Sequence, residues 1–478
     1  MYSSSSKFYG FTILFFLLSI FNLKAQNIND ALRLSTSGLG SNARALGMGN
    51  SYIALSDDAS AAFFNPAGFG FLKRLEFSGG FEYVNYNNEA EFLGNTIDHS
   101  NSSTRLNRIS FAFPFPTVRG SLVFALSYHK TKDLTGALKF NGFNTGPTSM
   151  IQDLNVDTNI PFDLYLTDDD YNTPIAGNLN QMGDILSSGS INNWTFSGAI
   201  EVYKNIFIGG NLNIISGSFE SNNDYYEDDT RNIYQNRLYP ADSVHSDFQT
   251  FYLNRLLKWD IAGVDAKLGM IYQFNPNSRF GFTVQFPRTY TIKEDFIVEG
   301  RSEFGSGPIE NLVSEDYSDA VEYDIISPFE FAGGFSLNFA GLIFAAEATL
   351  VNYNQIEFDN PDGLEESYIQ RINKEIKDQL EAVINYNLGL EYTIPAIGLR
   401  VRGGYLVKPS AYKDDPSKFD RKYITAGIGF LADNTIGVDL AYAHGMWDDF
   451  GDNYGSNVSR TNQKIASDHF ILTGIYRF

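Results

Sequence analysis

"NYNLGLEY", Asn385 to Tyr392, alternates without a break. Successive side chains of an extended chain point to opposite sides. Tyr386, Leu388, Leu390 and Tyr392 therefore share one face, and Asn385, Asn387, Gly389 and Glu391 share the other. Such period-two alternation argues a strand that is apolar on one side only. The pattern recurs in "RFGFTVQF" (Arg279 to Phe286), "IGLRVRGGYLV" (Ile397 to Val407) and "IGVDLAY" (Ile436 to Tyr442). In each, Gly, Arg, Asp and Asn keep to one face while aromatics sit towards the ends of the other. In a soluble sandwich the apolar faces would meet in a core. Aromatic ends on the apolar face and charge on the polar one fit a membrane barrel better, with lipid outside, a polar lumen and aromatic girdles at both interfaces.

Composition agrees. The 478 residues include 41 Phe, 28 Tyr and 42 Gly, yet mean hydropathy is only -0.20. No internal run approaches the roughly 18 apolar residues of a membrane helix. Hydrocarbon solvates no free N–H or C=O, so a chain without such helices crosses only as a closed sheet. The net charge of -21 argues against nucleic acid, whose binders need a basic stripe. With no cysteine there is neither disulfide, thiolate metal site nor lipidated N-terminus. Lys7 followed by "FTILFFLLSIF" (Phe11 to Phe21) reads as a secretory leader cut near Ala25, so residues 1–25 are expected to be removed on export.

The connections alternate in length. Short ones fall near 114–119, 203–205, 275–278, 338–341, 395–398 and 432–434. Long polar ones fall around 91–104, 132–191, 221–257, 296–320, 358–382, 409–421 and 446–466. Short periplasmic turns alternating with long external loops are the asymmetry of an outer-membrane barrel. Six turns and seven loops separate about fourteen strands, with both termini periplasmic. Two loops carry helix-like patterns, "YLNRLLKW" (Tyr252 to Trp259) and Glu365 to Val383. The acidic clusters 167–172 and 223–230 are expected to be solvated loop; neither has the spacing of an EF-hand. The last stretch, "HFILTGIYRF", sets Phe470, Leu472, Gly474, Tyr476 and Phe478 on one face. Tyr476 and Phe478 there resemble the signal read by the barrel assembly machinery.

If the barrel spans 75–478, residues 26–74 are a separate piece. About fifty residues cannot bury a stable core alone, and the lumen is the container at hand. Gly47, Gly49 and Gly68 allow tight turns, and Pro66 biases Asn65 towards extended backbone. "ARALGMGNSYIALSDDASAAFFNPAG", Ala43 to Gly68, resembles the N-terminal hatch signature of the FadL/TodX-type outer-membrane transport family. That resemblance implies a fourteen-stranded barrel plugged by a hatch. It implies transport of hydrophobic small molecules, long-chain fatty acids or aromatic hydrocarbons, from an external groove to a lumen pocket. Release would follow hatch movement or lateral opening. Phe63, Phe64, Asn65, Pro66, Ala67 and Gly68 become the hatch and substrate-contact candidates. The same signature and barrel size are similar to PorV, a component of the type nine secretion machinery. That similarity implies a second function, an interaction barrel that shuttles or anchors secreted proteins.

The inferred lumen face carries Glu201, Asp265, Lys267, Glu391, Arg400, Arg402 and Asp439. Arg400, Arg402, Glu391 and Asp439 are the lumen polar candidates. Two roles stay open for them: pairing that anchors the hatch, or capture of a carboxylate headgroup by Arg400 and Arg402. An enzyme would need a nucleophile, base and orienting acid in reach. His99, His129, His245, His444 and His469 lie in no Gly-x-Ser-x-Gly turn and at no metal-ligand spacing. His444 and His469 fall on opposite faces of neighbouring strands. The reading is a non-enzyme without cofactor or metal, a monomer resident in the outer membrane of a Gram-negative bacterium. Its partners would be lipid, a hydrophobic substrate and the assembly machinery.

Overall fold

The structure, a computed structural model, describes residues 26–236, 238, 244–452 and 460–478, the side chain of Asp157 excepted. The expected leader lies outside the described residues. Fourteen antiparallel strands close into one barrel. The wall starts with β1 (Glu76–Phe92), β2 (Asn95–Phe115) and β3 (Leu122–Asp133), and continues through Leu179–Tyr203, Ile206–Asp228 and Phe248–Asn275. Three composite strands follow. Ser278–Gln285 is prolonged by Thr289–Phe304, Asp319–Ile326 leads into Glu330–Phe339, and Leu342–Asn352 runs on to Glu357–Asp362. Ala382–Ile394, Leu399–Lys408, Arg421–Ala432, Ile436–Asp452 and Arg460–Arg477 complete the wall. The last strand pairs with β1 from Glu76↔Arg477 to Glu91↔Asn462, which removes both sheet edges.

The two faces separate as the alternation demands. Phe77, Phe81, Phe111, Phe124, Leu388, Leu390, Leu440, Leu472 and Tyr476 are exposed on the outside, an apolar surface meant for lipid. Glu391, Arg402, Thr425, Asp439 and Thr473 are buried on the inside. His444 sits outside against Asp468, while His469 sits inside against Glu82.

The strands rise well beyond the membrane. Phe248–Asn275 has 28 residues, where about 9–11 suffice to span a bilayer. Here several expectations fail: the connections expected around 91–104 and 446–466 are mostly strand, with Phe92 and Asn95 only a two-residue turn apart. "YLNRLLKW" is not a helix but part of this strand, and the acidic stretch 223–230 is mostly strand Ile206–Asp228 rather than loop. Leucine gives a weak helical preference that pairing overrides. Residues 252–259 hydrogen-bond to a neighbour on each side, 219–226 and 294–301, and Leu253 and Trp259 are buried on the inner side. A helix would forfeit both ladders. The other expected helix is present as Glu366–Gln379, burying Tyr368, Ile369, Ile372 and Ile376 as one stripe.

Above the membrane the long third connection folds as a cap: strand Gly136–Asn144, then helices Met150–Asp157 and Ile160–Asp163. Phe140, Ile151, Leu164, Phe251 and Val298 are among the buried residues of this cap's core. The buried Glu227 carboxylate accepts from Met150 N at 2.8 Å, Ile151 N at 3.4 Å and Gln181 Nε2 at 2.7 Å, at the start of helix Met150–Asp157. Burial pushes this carboxyl up to about 7.

Candidate functional site: the filled lumen

Residues 26–72 lie inside the barrel. They form α1 (Ile28–Ser35), α2 (Ala43–Gly47) and two short 3-10 turns, Ala59–Ala62 and Pro66–Phe71. Each start is capped from its own sequence. Asn27 closes a capping box with Asp30, Asn42 accepts from Arg44 N, Asp58 from Ser60 N, and Asn65 from Ala67 N.

Small residues let segment and wall approach. The Asn65 amide donates to Ile53 O at 3.0 Å and to the wall carbonyl of Met270 at 3.2 Å. A Cβ on Gly269 would stand 2.0 Å from Asn65 Oδ1, and one on Gly209 would stand 2.4 Å from the Pro66 carbonyl carbon. The Asn-Pro turn thus seats in a notch that two wall glycines leave open. Phe64 is buried edge-on to Tyr52 at 5.3 Å. Phe63 is half-buried and faces His129 at 5.7 Å.

A chain of charges crosses from wall to segment. Glu391 accepts Arg44 Nε and Nη2, both at 2.9 Å, and Arg402 Nε at 2.6 Å. Arg402 Nη1 reaches Asp439 at 2.6 Å. Arg44 Nη1 also holds Asp57 at 2.8 Å, and Asp57 receives Arg279 of the wall at 3.0 Å. Charges this deep are tolerated because each meets an opposite one in hydrogen-bonding geometry. Elsewhere Glu347 accepts Tyr52 N at 2.9 Å and Ile53 N at 3.0 Å. Thr473 accepts Ala43 N at 3.1 Å. Glu76 accepts Ala59 N and, with its other oxygen, Arg477 Nε, both at 2.7 Å.

The upper part is held by lysines. Lys132 Nζ donates to Arg33 O at 2.6 Å and Thr36 O at 2.8 Å, and Lys408 Nζ to Ser37 O at 2.5 Å and Gly38 O at 3.0 Å. Through Ile28, Ala31 and Leu34, α1 enters an apolar cluster with Trp259, Tyr290, Ile292, Tyr323 and Ile372. Beside it Glu294 takes Tyr323 OH at 2.7 Å, Trp259 Nε1 at 2.8 Å and Gln26 Nε2 at 2.5 Å. Burial raises the Glu294 carboxyl to about 7. Below α1, Leu34, Ser37, Phe63, His129, Lys132 and Arg288 help line a small chamber of about 40 Å³.

Of the residues singled out by sequence, Phe63, Phe64 and Asn65 join the segment's two 3-10 turns, and Pro66, Ala67 and Gly68 open the second. Glu391, Arg402 and Asp439 come together in one network, leaving Arg402 no free oxygen-binding fork for a headgroup. Arg400 is half-buried and joins no ion pair among the described residues. Tyr476 and Phe478 face outward with ring centroids 4.6 Å apart. Arg44, Asp57, Glu347, Lys132 and Lys408 were not singled out. Arg279 stood on a polar face already identified, and that face was the available signal; the others have none short of their partners.

No family model matches the sequence, and no curated protein sequence matches it. Solved structures do. The toluene transporter TodX of Pseudomonas putida is similar at 13% identity, covering 92% of this chain and 99% of that one, with a TM-score of 0.57. A FadL homologue of Pseudomonas aeruginosa gives 12%, 93%, 99% and 0.55. The toluene transporter TbuX of Ralstonia pickettii gives 14%, 92%, 98% and 0.50. With a closed fourteen-stranded wall and its N-terminal segment folded in the lumen, this chain has the fold of the FadL/TodX-type outer-membrane channels.

Proposed function

We propose that the protein carries hydrophobic small molecules, long-chain fatty acids or aromatic hydrocarbons, across the outer membrane, with residues 26–74 as a movable plug. The observation that carries this reading is the way the lumen is filled. Carboxylates, lysines and threonines of the wall hold the segment, and its apolar residues are divided among several separate clusters rather than one continuous core; polar contacts of this kind re-form after a displacement. The upper end of the segment packs into the aromatic cluster around Trp259, Tyr290 and Tyr323, apolar surface that a shift of the segment would uncover for a non-polar guest. Substrate would enter from the external side, lodge among these rings, and pass the chamber beside Phe63 as the plug shifts.

The test is deletion of residues 26–74, with single-channel conductance and uptake of a labelled hydrophobic substrate measured together. Conductance should rise and uptake should lose its selectivity. Asn65→Ala and Pro66→Ala should disturb uptake while leaving assembly intact, since neither residue belongs to the sheet. Unchanged conductance after deletion would mean that the segment does not close the working barrel.

A further inference from the structure

We propose that the lipid face of β2, β3 and strand Leu179–Tyr203 holds one anionic phospholipid of the inner leaflet, its acyl chain in a groove between phenylalanines and its phosphate on Arg119 and Lys204. The proposal rests on the outer-membrane placement of the barrel and not on what passes through the lumen. The groove has a volume of about 470 Å³, within the roughly 300–1,000 Å³ of ligand pockets. Phe111, Phe113, Phe124, Leu126 and Phe196 stand along it, and Gly198 leaves its floor open. The pairing explains the shape. Gly198 lies opposite Phe124 on one ladder and opposite Gly210 on the other, while Phe196 lies opposite Leu126. Two glycines side by side leave a gap, and the half-exposed rings of Phe124 and Phe196 overlook it.

The lower end of the groove meets the periplasmic rim. β2 and β3 are joined by the short turn 116–121, and Phe115 just before it touches Phe124, with ring centroids 5.4 Å apart. That turn carries Arg119, and the next one along the wall, 204–205, carries Lys204. The two turns abut, since Glu201 N donates to Ser121 O at 3.0 Å. Both cations are exposed, and neither forms an ion pair among the described residues. Lys73 and Arg74, also exposed and also without an ion pair there, leave the lumen at the same place. Leu72 before them packs inside on Ala112, Val123, Ala125 and Ala199 of the same three strands. Glu201 lies between the turns, but it is half-buried and accepts Asn205 N at 2.8 Å.

Unpaired cations on one arc of the rim stand out in a chain of net charge -21. Towards the outside, Lys139, Lys293, Arg301, Lys418, Arg460 and Lys464 each hold a carboxylate. Basic side chains at a membrane surface attract anionic headgroups, each Arg or Lys by about fivefold. Here the charge lies directly below apolar surface shaped to take a chain. A phosphate seated between Arg119 and Lys204 sets the first acyl carbons beside Phe115 and the rest along Phe124 and Phe196. A zwitterionic lipid would fill the same groove but gain less at the rim, because its ammonium opposes the two cations.

The experiment places the full-length barrel in nanodiscs of equal parts dioleoyl phosphatidylglycerol and dioleoyl phosphatidylcholine, equal in chains and different in net charge. Native mass spectrometry then reads which lipid stays bound. Wild type should keep phosphatidylglycerol over phosphatidylcholine by about tenfold. Arg119→Gln together with Lys204→Gln should abolish the preference. Gly198→Leu should lower retention of both lipids; the wall tolerates it, since a Cβ there stands 3.5 Å from the Phe124 ring, an ordinary contact. Equal retention in wild type, a preference that survives the double variant, or full retention in Gly198→Leu overturns the site. Glycerol phosphate competing as well as the whole lipid would leave only an anion site and overturn the part played by the groove. Should the double variant fail to assemble, a phosphatidylglycerol with a photoreactive acyl chain decides on the wild type. Cross-links are expected on Phe113, Phe124 and Phe196, and cross-links spread evenly around the wall refute it.

Discussion

Replacing Glu391 by Gln strikes the contact that holds the segment hardest. The carboxylate is 1% exposed and is shared by Arg44 of the segment and Arg402 of the wall. Gln removes the charge and one acceptor while keeping the volume. Arg402 falls back on Asp439, and Arg44 on Asp57 and Tyr52. Neither arginine is left bare, so the loss lies at the lower end of that for breaking a buried pair, about 3 kcal/mol. At about 1.4 kcal/mol per tenfold, the ratio of displaced to seated segment should rise about a hundredfold. The assay is the frequency of openings in a planar bilayer, with heat-dependent gel mobility as the check that the barrel is intact. Asp439→Asn is the control. Among the described residues Asp439 hydrogen-bonds Arg402 and no residue of the segment, so it should raise openings far less. An intact Glu391→Gln barrel with the wild-type opening frequency would refute the reasoning, because the network would then stiffen the wall without holding the segment.

Gly269→Ala should unseat the Asn65-Pro66 turn, since the added carbon would meet Asn65 Oδ1 at 2.0 Å; conductance should rise while assembly is unchanged, and a silent variant would mean the turn has slack. The cap should loosen with rising pH. Glu227 has its carboxyl near 7 in the folded cap against 4.5 ordinarily, so its contribution is fully present below about 4.5 and is lost as pH rises through about 7, a difference on the order of 3 kcal/mol. Hydrogen exchange of the amides at 150–157, corrected for intrinsic rates, should follow that course and flatten in Glu227→Gln; the same slope in both proteins would rule the carboxyl out.

The wall was legible because lipid and lumen impose opposite demands on alternate residues. Tyr386, Leu388 and Leu390 could only be outside if Asn387 and Glu391 were inside. The turns at 203–205 and 395–398 were equally plain, being polar breaks between two alternating runs. Above the membrane that logic stops. Leu253 packs on the cap, Trp259 on the cluster that takes in α1 and Leu257 on both, rather than on lipid, so their strand reads like a helix. The lumen was half legible. Glu391, Arg402 and Asp439 showed themselves by charge on a strand's polar face, but their partner Arg44 sits in a segment with no periodicity.

Glu76 joins two events that the covalent chain keeps far apart. One of its oxygens receives the segment at Ala59 and the other receives Arg477 of the final strand. Next to it, Phe478 N donates to Leu75 O at 3.0 Å. The seam where first and last strands zip together is therefore also a mooring for what lies within. The N-terminal residues are synthesised first and the terminal strand last, so the two groups that meet on Glu76 come from the two ends of the chain. Sealing the cylinder and docking its contents then share a single carboxylate, and each step makes the other more favourable.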